Sequence, residues 1–198
     1  KSLLAIGDRA NTGHRQARPL RVNLDGKSEP EMLFNAFAFE VAISPDGDRL
    51  LFTTGGERLY RKGYKGSLAC KMWLRDLTTG KQQAVLDLET SCRTPMWKPD
   101  GSGFYYVGQQ DGCYNVRAYD LTSRKDSALT EFKDDAVILP SLSANGKMMV
   151  FRNLFDFYSM NPTKPKSLKK LELWIETDAP PMKTRRRWYS KAWNNDEW

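Results

Sequence analysis

The chain is predicted to be all-β, a β-propeller built from four-stranded antiparallel blades. Three observations carry this prediction. One turn chemistry returns at long, regular spacing; the runs between turns are short and rich in aromatic and aliphatic residues; and a second strand–turn–strand element recurs behind the first.

The first element is Ser44-Pro45-Asp46-Gly47 before Asp48-Arg49-Leu50-Leu51-Phe52-Thr53. It returns as Lys98-Pro99-Asp100-Gly101 before Ser102-Gly103-Phe104-Tyr105-Tyr106-Val107, and as Ser143-Ala144-Asn145-Gly146 before Lys147-Met148-Met149-Val150-Phe151. The glycines stand 54 and then 45 residues apart. Asp-Gly and Asn-Gly accept the positive φ angles that tight hairpin turns demand, so each copy reads as strand, turn, strand. The second element is Trp73–Leu77, Thr78-Thr79-Gly80-Lys81, Gln82–Leu86, and again Val116–Leu121, Thr122-Ser123, Asp126–Thr130; Asp76 and Asp120 are 44 residues apart. A degenerate earlier copy runs from Leu20 to Gly26 and on through Pro30–Phe34. A unit of roughly 45 residues thus holds two hairpins, the size and content of a propeller blade.

In chain order this predicts the last three strands of one blade within 1–34, blades at about 37–87, 93–130 and 136–176, and the start of a further blade or a linker at 183–198. About four blades is an incomplete set, expected to belong to a larger ring, taken as six-bladed, with both chain ends falling mid-blade. A β-sandwich also has many short strands, but it does not account for one turn chemistry returning at such long and regular intervals.

Composition agrees with a packed domain. The 198 residues are 40% hydrophobic and 28% charged, and 12% are aromatic, which argues against global disorder. No apolar run approaches the ~18–20 residues of a membrane-spanning helix, so no membrane partner is expected. The net charge of +7 is uneven: residues 164–198 carry nine Lys/Arg against five Asp/Glu. Lys183–Tyr189 interleaves cations and aromatics, as single-strand nucleic-acid binders do. One short run without an RNA-binding signature reads better as an edge strand or interblade connection whose aromatics pack inward, and no nucleic-acid partner is expected.

Cys70, Cys92 and Cys113 are sparse and odd in number. They read as buried free thiols, which leans towards a cytoplasmic over a periplasmic setting and leaves the compartment open, with one cross-strand disulfide as the alternative for an exported protein. His14 is the only histidine, and no Gly-x-Ser-x-Gly elbow surrounds any serine. Neither metal nor cofactor is expected: Gly55-Gly56 lacks a P-loop partner, and Asp134-Asp135 reads as a turn rather than a calcium loop.

The repeats resemble the β-propeller of tricorn-type proteases, large serine peptidases whose propellers precede a tail-specific-protease catalytic module. The resemblance covers about 37–176 and is strongest in Arg58–Ser67, Met72–Gly80, Pro95–Gly101 and Phe104–Val107, with Asp111-Gly112 before Tyr114-Asn115-Val116. Pro-Asp-Gly hairpins also occur in TolB-like propellers and in prolyl-oligopeptidase-type caps. The chain departs from the pattern at Asn145, where Asp is usual, and at Lys71, where an acidic residue is common. In that family the nucleophile lies beyond the propellers. The resemblance therefore implies a non-catalytic segment that assists peptide access and the assembly of domains or subunits, with self-association into a homo-oligomer as a further expected contact. The alternative is a stand-alone TolB-like protein-binding propeller; the cap of a prolyl-oligopeptidase-like enzyme is a third reading.

Binding residues are expected on two long connections between second and third strands, 7–19 and 55–67, which emerge on one face from adjacent blades. Arg9, Arg15, Arg18, Arg58, Arg61, Lys62 and Lys65 would offer charge-assisted hydrogen bonds to carboxylates, and Tyr60 and Tyr64 would add flat apolar contact. The other expectation for these cations is an ordered loop that pairs with acidic residues of a neighbouring domain or subunit.

Overall fold

The tight turns decide where the strands begin. Gly47, Gly101 and Gly146 sit at φ of 83°, 68° and 68°. That is the left-handed region, which glycine enters without steric cost. One position earlier, Asp46, Asp100 and Asn145 accept the amides of Asp48, Ser102 and Lys147 at 3.1, 3.0 and 3.0 Å. Asn145 keeps the accepting oxygen, so the departure from Asp changes charge and leaves the turn intact. The second hairpins are capped alike, by side chains that mimic a backbone turn. Asp76 accepts the Thr79 amide at 2.6 Å, Asp120 that of Ser123 at 2.7 Å and Asn161 that of Thr163 at 3.0 Å.

A computed structural model describes residues 2–7, 17–57, 61–86, 88–110 and 112–174. Among these residues every regular element is a strand. The first sheet holds β1 (Ser2–Gly7), β2 (Arg18–Asn23) and β3 (Glu31–Met32). The second holds β4 (Val41–Ile43), β5 (Arg49–Thr54), β6 (Lys71–Asp76) and β7 (Gln82–Leu86). The third holds β8 (Cys92–Trp97), β9 (Gly103–Gly108), β10 (Asn115–Asp120) and β11 (Asp126–Ala128). The fourth holds β12 (Val137–Leu142), β13 (Met149–Asn153), β14 (Asp156–Asn161) and β15 (Lys164–Leu171). Each sheet is an antiparallel meander in sequence order.

Neighbouring sheets stack through alternating side chains. Leu50 and Phe52 of β5 pack with Phe34 and Ala38, closing the first seam with Leu4 of β1. Leu51, one residue out of phase, joins Met72 and Leu86 against Cys92, Trp97, Phe104 and Tyr106 in the second seam. Tyr105 and Val107, out of phase again, meet Val137, Met149 and Phe151 in the third. A sheet that uses both phases of a strand for two neighbours has no stable existence without them, which is the stacking logic of a repeat architecture.

The first strands of the full sheets adjoin, β4 against β8 and β8 against β12. Both β8 and β12 carry a bulge, at which Thr94 and Leu139 adopt φ of 50° and 51° directly before Pro95 and Pro140. Proline is tolerated there because these are edge strands of their sheets. Glu40, just ahead of β4, spans the second seam by accepting the Thr94 amide at 2.6 Å and its hydroxyl at 3.1 Å. Trp97 closes the same seam, donating its indole N–H to the Ala42 carbonyl at 2.9 Å beneath the guanidinium of Arg49.

Candidate functional site

The connection between β5 and β6 is a closed loop with a narrow neck. Gly55 has a φ of 103°, and a Cβ there would lie 2.6 Å from the Ala69 carbonyl oxygen, so only glycine lets the chain leave β5 this close to its return. The amides of Gly56 and Glu57 both donate to the Leu68 carbonyl, at 3.1 and 2.9 Å. Glu57 is buried and lies 3.6 Å from the Arg61 guanidinium, which in turn stacks on the Tyr64 ring at 4.4 Å.

The loop cations point at acidic residues of this same chain. Lys65 reaches Glu89, between β7 and β8, at 2.8 Å. Lys62 donates to the Asp134 carbonyl and lies 3.8 Å from the Asp135 carboxylate, between β11 and β12. The Lys65–Glu89 contact lifts the lysine pKa above its ordinary value and lowers that of the glutamic acid, in both cases mainly through their shared hydrogen bond. These pairs are solvent-exposed, so an incoming carboxylate competes with Glu89 and Asp135 under screened conditions. The loop therefore crosses from the second sheet to the linkers that enter the third and the fourth. The acidic partners seen here lie within the chain, on 88–91 and 129–136, which emerge on the same face as the loop.

Arg18 lies apart from that cluster. It is buried, donates Nε–H to the Asn35 side-chain oxygen at 2.9 Å and stacks over Phe37 at 4.7 Å. Arg9, Arg15, Arg58 and Tyr60 lie outside the described residues, as do His14 and the Lys183–Tyr189 run. The structure thus brings together Arg61, Lys62, Tyr64 and Lys65, and sets Arg18 apart, buried at the start of β2.

Sequence reasoning missed an apolar cleft of about 520 Å³ beside the neck of the loop. Phe37, Phe39, Leu68 and Trp73 line it, with the Gly55-Gly56 backbone at its edge. Phe37, Phe39 and Leu68 are 40%, 46% and 48% exposed. Such exposure is unusual for three neighbouring large apolar side chains. The signal was the alternation Phe37-Ala38-Phe39, in which Ala38 turns into the seam and the two rings turn out.

The cysteines are free and buried. Burial raises all three thiol pKa values, that of Cys92 to about 12. These are therefore inert packing groups rather than nucleophiles. Among the described residues no group of three or more His, Cys, Asp or Glu is placed to hold a metal ion, and no helix is long and apolar enough to cross a membrane.

Meander sheets stacked through alternate faces, with first strands side by side, define a β-propeller segment. In sequence the chain is similar to the tricorn protease homolog of Saccharolobus solfataricus, 28% identical over 117 residues, covering 59% of this chain and 10% of that protein. It is also similar to the tricorn protease of Thermoplasma acidophilum, 25% identical over 128 residues, covering 65% of this chain and 11% of that one. The crystal structure of the tricorn protease matches 90% of this chain and 17% of its own, with a TM-score of 0.75 at 22% identity. TolB from Acinetobacter baumannii matches 86% of this chain and 40% of its own, with a TM-score of 0.67 at 17% identity. By sequence and by fold the chain is similar to the tricorn proteases, with TolB propellers as looser neighbours in fold alone. No protein-family model matches it. The chain spans about a tenth of the length of the curated relatives it matches.

Proposed function

We infer that this chain is the non-catalytic propeller segment of a tricorn-like serine peptidase, and that its long-loop face helps admit peptides and seats another domain or subunit. The observation that carries this reading is the similarity to tricorn proteases over more than half of the chain. The likeness to TolB rests on fold alone and favours no separate activity. On the long-loop face, the ammonium groups of Lys62 and Lys65 and the guanidinium of Arg61 suit a peptide carboxylate, at the cost of releasing Glu89 and Asp135. The cleft between Phe39 and Leu68 suits an apolar side chain of the same peptide.

Two measurements on the full-length protein test this. A serine-directed covalent probe is expected to label the polypeptide outside residues 1–198; a full-length protein that takes no label overturns the peptidase reading. The double variant Arg61→Ala/Lys62→Ala is expected to raise KM several-fold for peptides with a free C-terminal carboxylate relative to their amidated forms. An unchanged ratio removes the loop from peptide capture.

A further inference from the structure

The tight hairpin turns lie on the face opposite the long loops, and there the second and third seams end differently. In the second, Arg49 stacks over Trp97 and reaches the Gly101 carbonyl at 3.3 Å, which shuts the gap between neighbouring turns. In the third, counting from the turn glycines, Gly103 stands in the place of Arg49 and Leu142 in that of Trp97. No side chain can replace this glycine, because a Cβ at Gly103 would lie 2.1 Å from the Tyr119 carbonyl oxygen. Counting from Asp76 and Asp120, Ala118 likewise replaces Leu74, which packs into the second seam. The result is an open groove of about 720 Å³ between the third and fourth sheets. Tyr105, Ala118 and Lys98 line it from the third sheet, and the turns 145–147 and 161–164 line it from the fourth.

The charge of this groove departs from the repeat. The turns of the second sheet are capped by Asp46 and Asp76 and those of the third by Asp100 and Asp120, but the fourth has Asn145 and Asn161. Each asparagine keeps the oxygen that accepts the turn amide, drops the negative charge and adds an amide donor. Lys147 and Lys164 stand in the same two turns. Among the described residues neither enters an ion pair, whereas Lys62 and Lys65 on the long-loop face and Lys170 of β15 do. Lys98 helps to lower the carboxyl pKa values of Asp100 and Asp120, behind the hydrogen bonds from Ser102 and Ser123, so its charge is partly answered. Turn closure needs only an accepting oxygen; the loss of both acids on one wall suits an anion in the groove.

The two lysines are spaced for a chain rather than for a single ion. Lys147 lies between β12 and β13 and Lys164 begins β15, a separation of about two strand spacings, or ~10 Å. An extended polypeptide carries residues three apart at about the same distance. We propose that this groove binds an extended acidic segment of a partner polypeptide, with carboxylates on Lys147 and Lys164 and further acceptors on the side-chain amides of Asn145 and Asn161. Lysine–carboxylate contacts of this kind are charge-assisted and weaken as salt rises. Binding here needs no catalytic module, so it stands or falls separately from the peptidase reading.

Fluorescence anisotropy of a dye-labelled octaglutamate, amidated at its C-terminus and titrated with the full-length protein at low salt, tests this. The wild type is expected to bind, and Asn145→Asp/Asn161→Asp to bind at least fivefold more weakly with an unchanged thermal midpoint, since aspartate caps the same turns in the other sheets. Gln82→Glu/Gln83→Glu adds two charges at exposed positions of β7 and is expected to stay within twofold of the wild type. Should the midpoint of the aspartate variant fall, Lys147→Gln/Lys164→Gln, at exposed positions, decides by the same fivefold criterion. No binding by the wild type overturns the proposal, as does equal weakening in the groove variant and the β7 variant. Displacement of the peptide by millimolar inorganic phosphate at constant ionic strength also overturns it, in favour of a small oxyanion site.

Discussion

The third and fourth sheets share one sequence grammar and differ in what surrounds them. In β9 all six residues are buried, because the Phe104 phase faces the second sheet and the Tyr105 phase faces the fourth. In β13 burial alternates: Met149, Phe151 and Asn153 are covered while Val150 and Arg152 are only partly so. Strand formation is therefore a local matter, decided by turn chemistry and β-propensity, whereas the burial of a strand depends on how many of its two faces find a partner.

The largest expected effect breaks this comparison at its buried end. Phe104 is fully buried and meets the rings of Trp97, Tyr106 and Tyr119 at centroid distances of 6.5, 5.9 and 5.2 Å. Phe104→Ala is expected to cost about 3–5 kcal/mol in denaturant unfolding. Phe157→Ala, on the outer side of the fourth sheet, should cost at most about 1 kcal/mol. Equal losses would mean that the two faces are equally covered.

A smaller effect isolates the hydrogen bond that Trp97 sends across the second seam. Trp97→Phe keeps a ring in the aromatic cluster and leaves the Ala42 carbonyl without its donor, for an expected cost of about 0.5–1.5 kcal/mol. Thermal unfolding with no change in midpoint would show that the bond is replaced by water.

The smallest effect sharpens the comparison through acid. The turns of the third sheet are capped by Asp100 and Asp120, those of the fourth by Asn145 and Asn161. Backbone hydrogen bonds from Ser102 and from Ser123 hold the two carboxyl pKa values below the ordinary 3.8. A depressed folded-state pKa means stabilisation that is complete well above the ordinary carboxyl value and is lost as the pH falls through the folded-state value. The Ser102 and Ser123 amide resonances should therefore shift on acidification below about pH 4, while those of Lys147 and Thr163 stay put. Asp120→Asn should abolish the shift at Ser123 and keep its hairpin.

Much of the fold was legible because its signals are local. Asp46-Gly47, Asp100-Gly101 and Asn145-Gly146 each reverse the chain by their own backbone chemistry, and Asp76 and Asp120 cap the second hairpins through amides two or three residues away. The candidate site was less legible. Lys62 and Lys65 read as cations for a peptide carboxylate or for acidic residues of a neighbouring domain or subunit, because Glu89 and Asp134-Asp135 are distant in sequence and only sheet stacking brings them to the loop. Arg18 read as a loop cation, yet it begins β2 as a buried residue whose Nε–H donates to Asn35 and whose guanidinium lies over Phe37. The apolar cleft went unseen because Phe37 and Phe39 have the same composition signature as core residues; the direction in which each ring turns depends on Ala38 entering the seam between them.

By itself the amino-acid sequence determined the strands, the hairpins, their repeat and the resemblance to tricorn-type propellers, since turns and alternation act over a few residues. Tertiary structure alone decided which charges neutralise one another and which phase of each strand is hidden. Those outcomes depend on contacts between residues tens of positions apart, and such contacts exist only once the sheets have stacked.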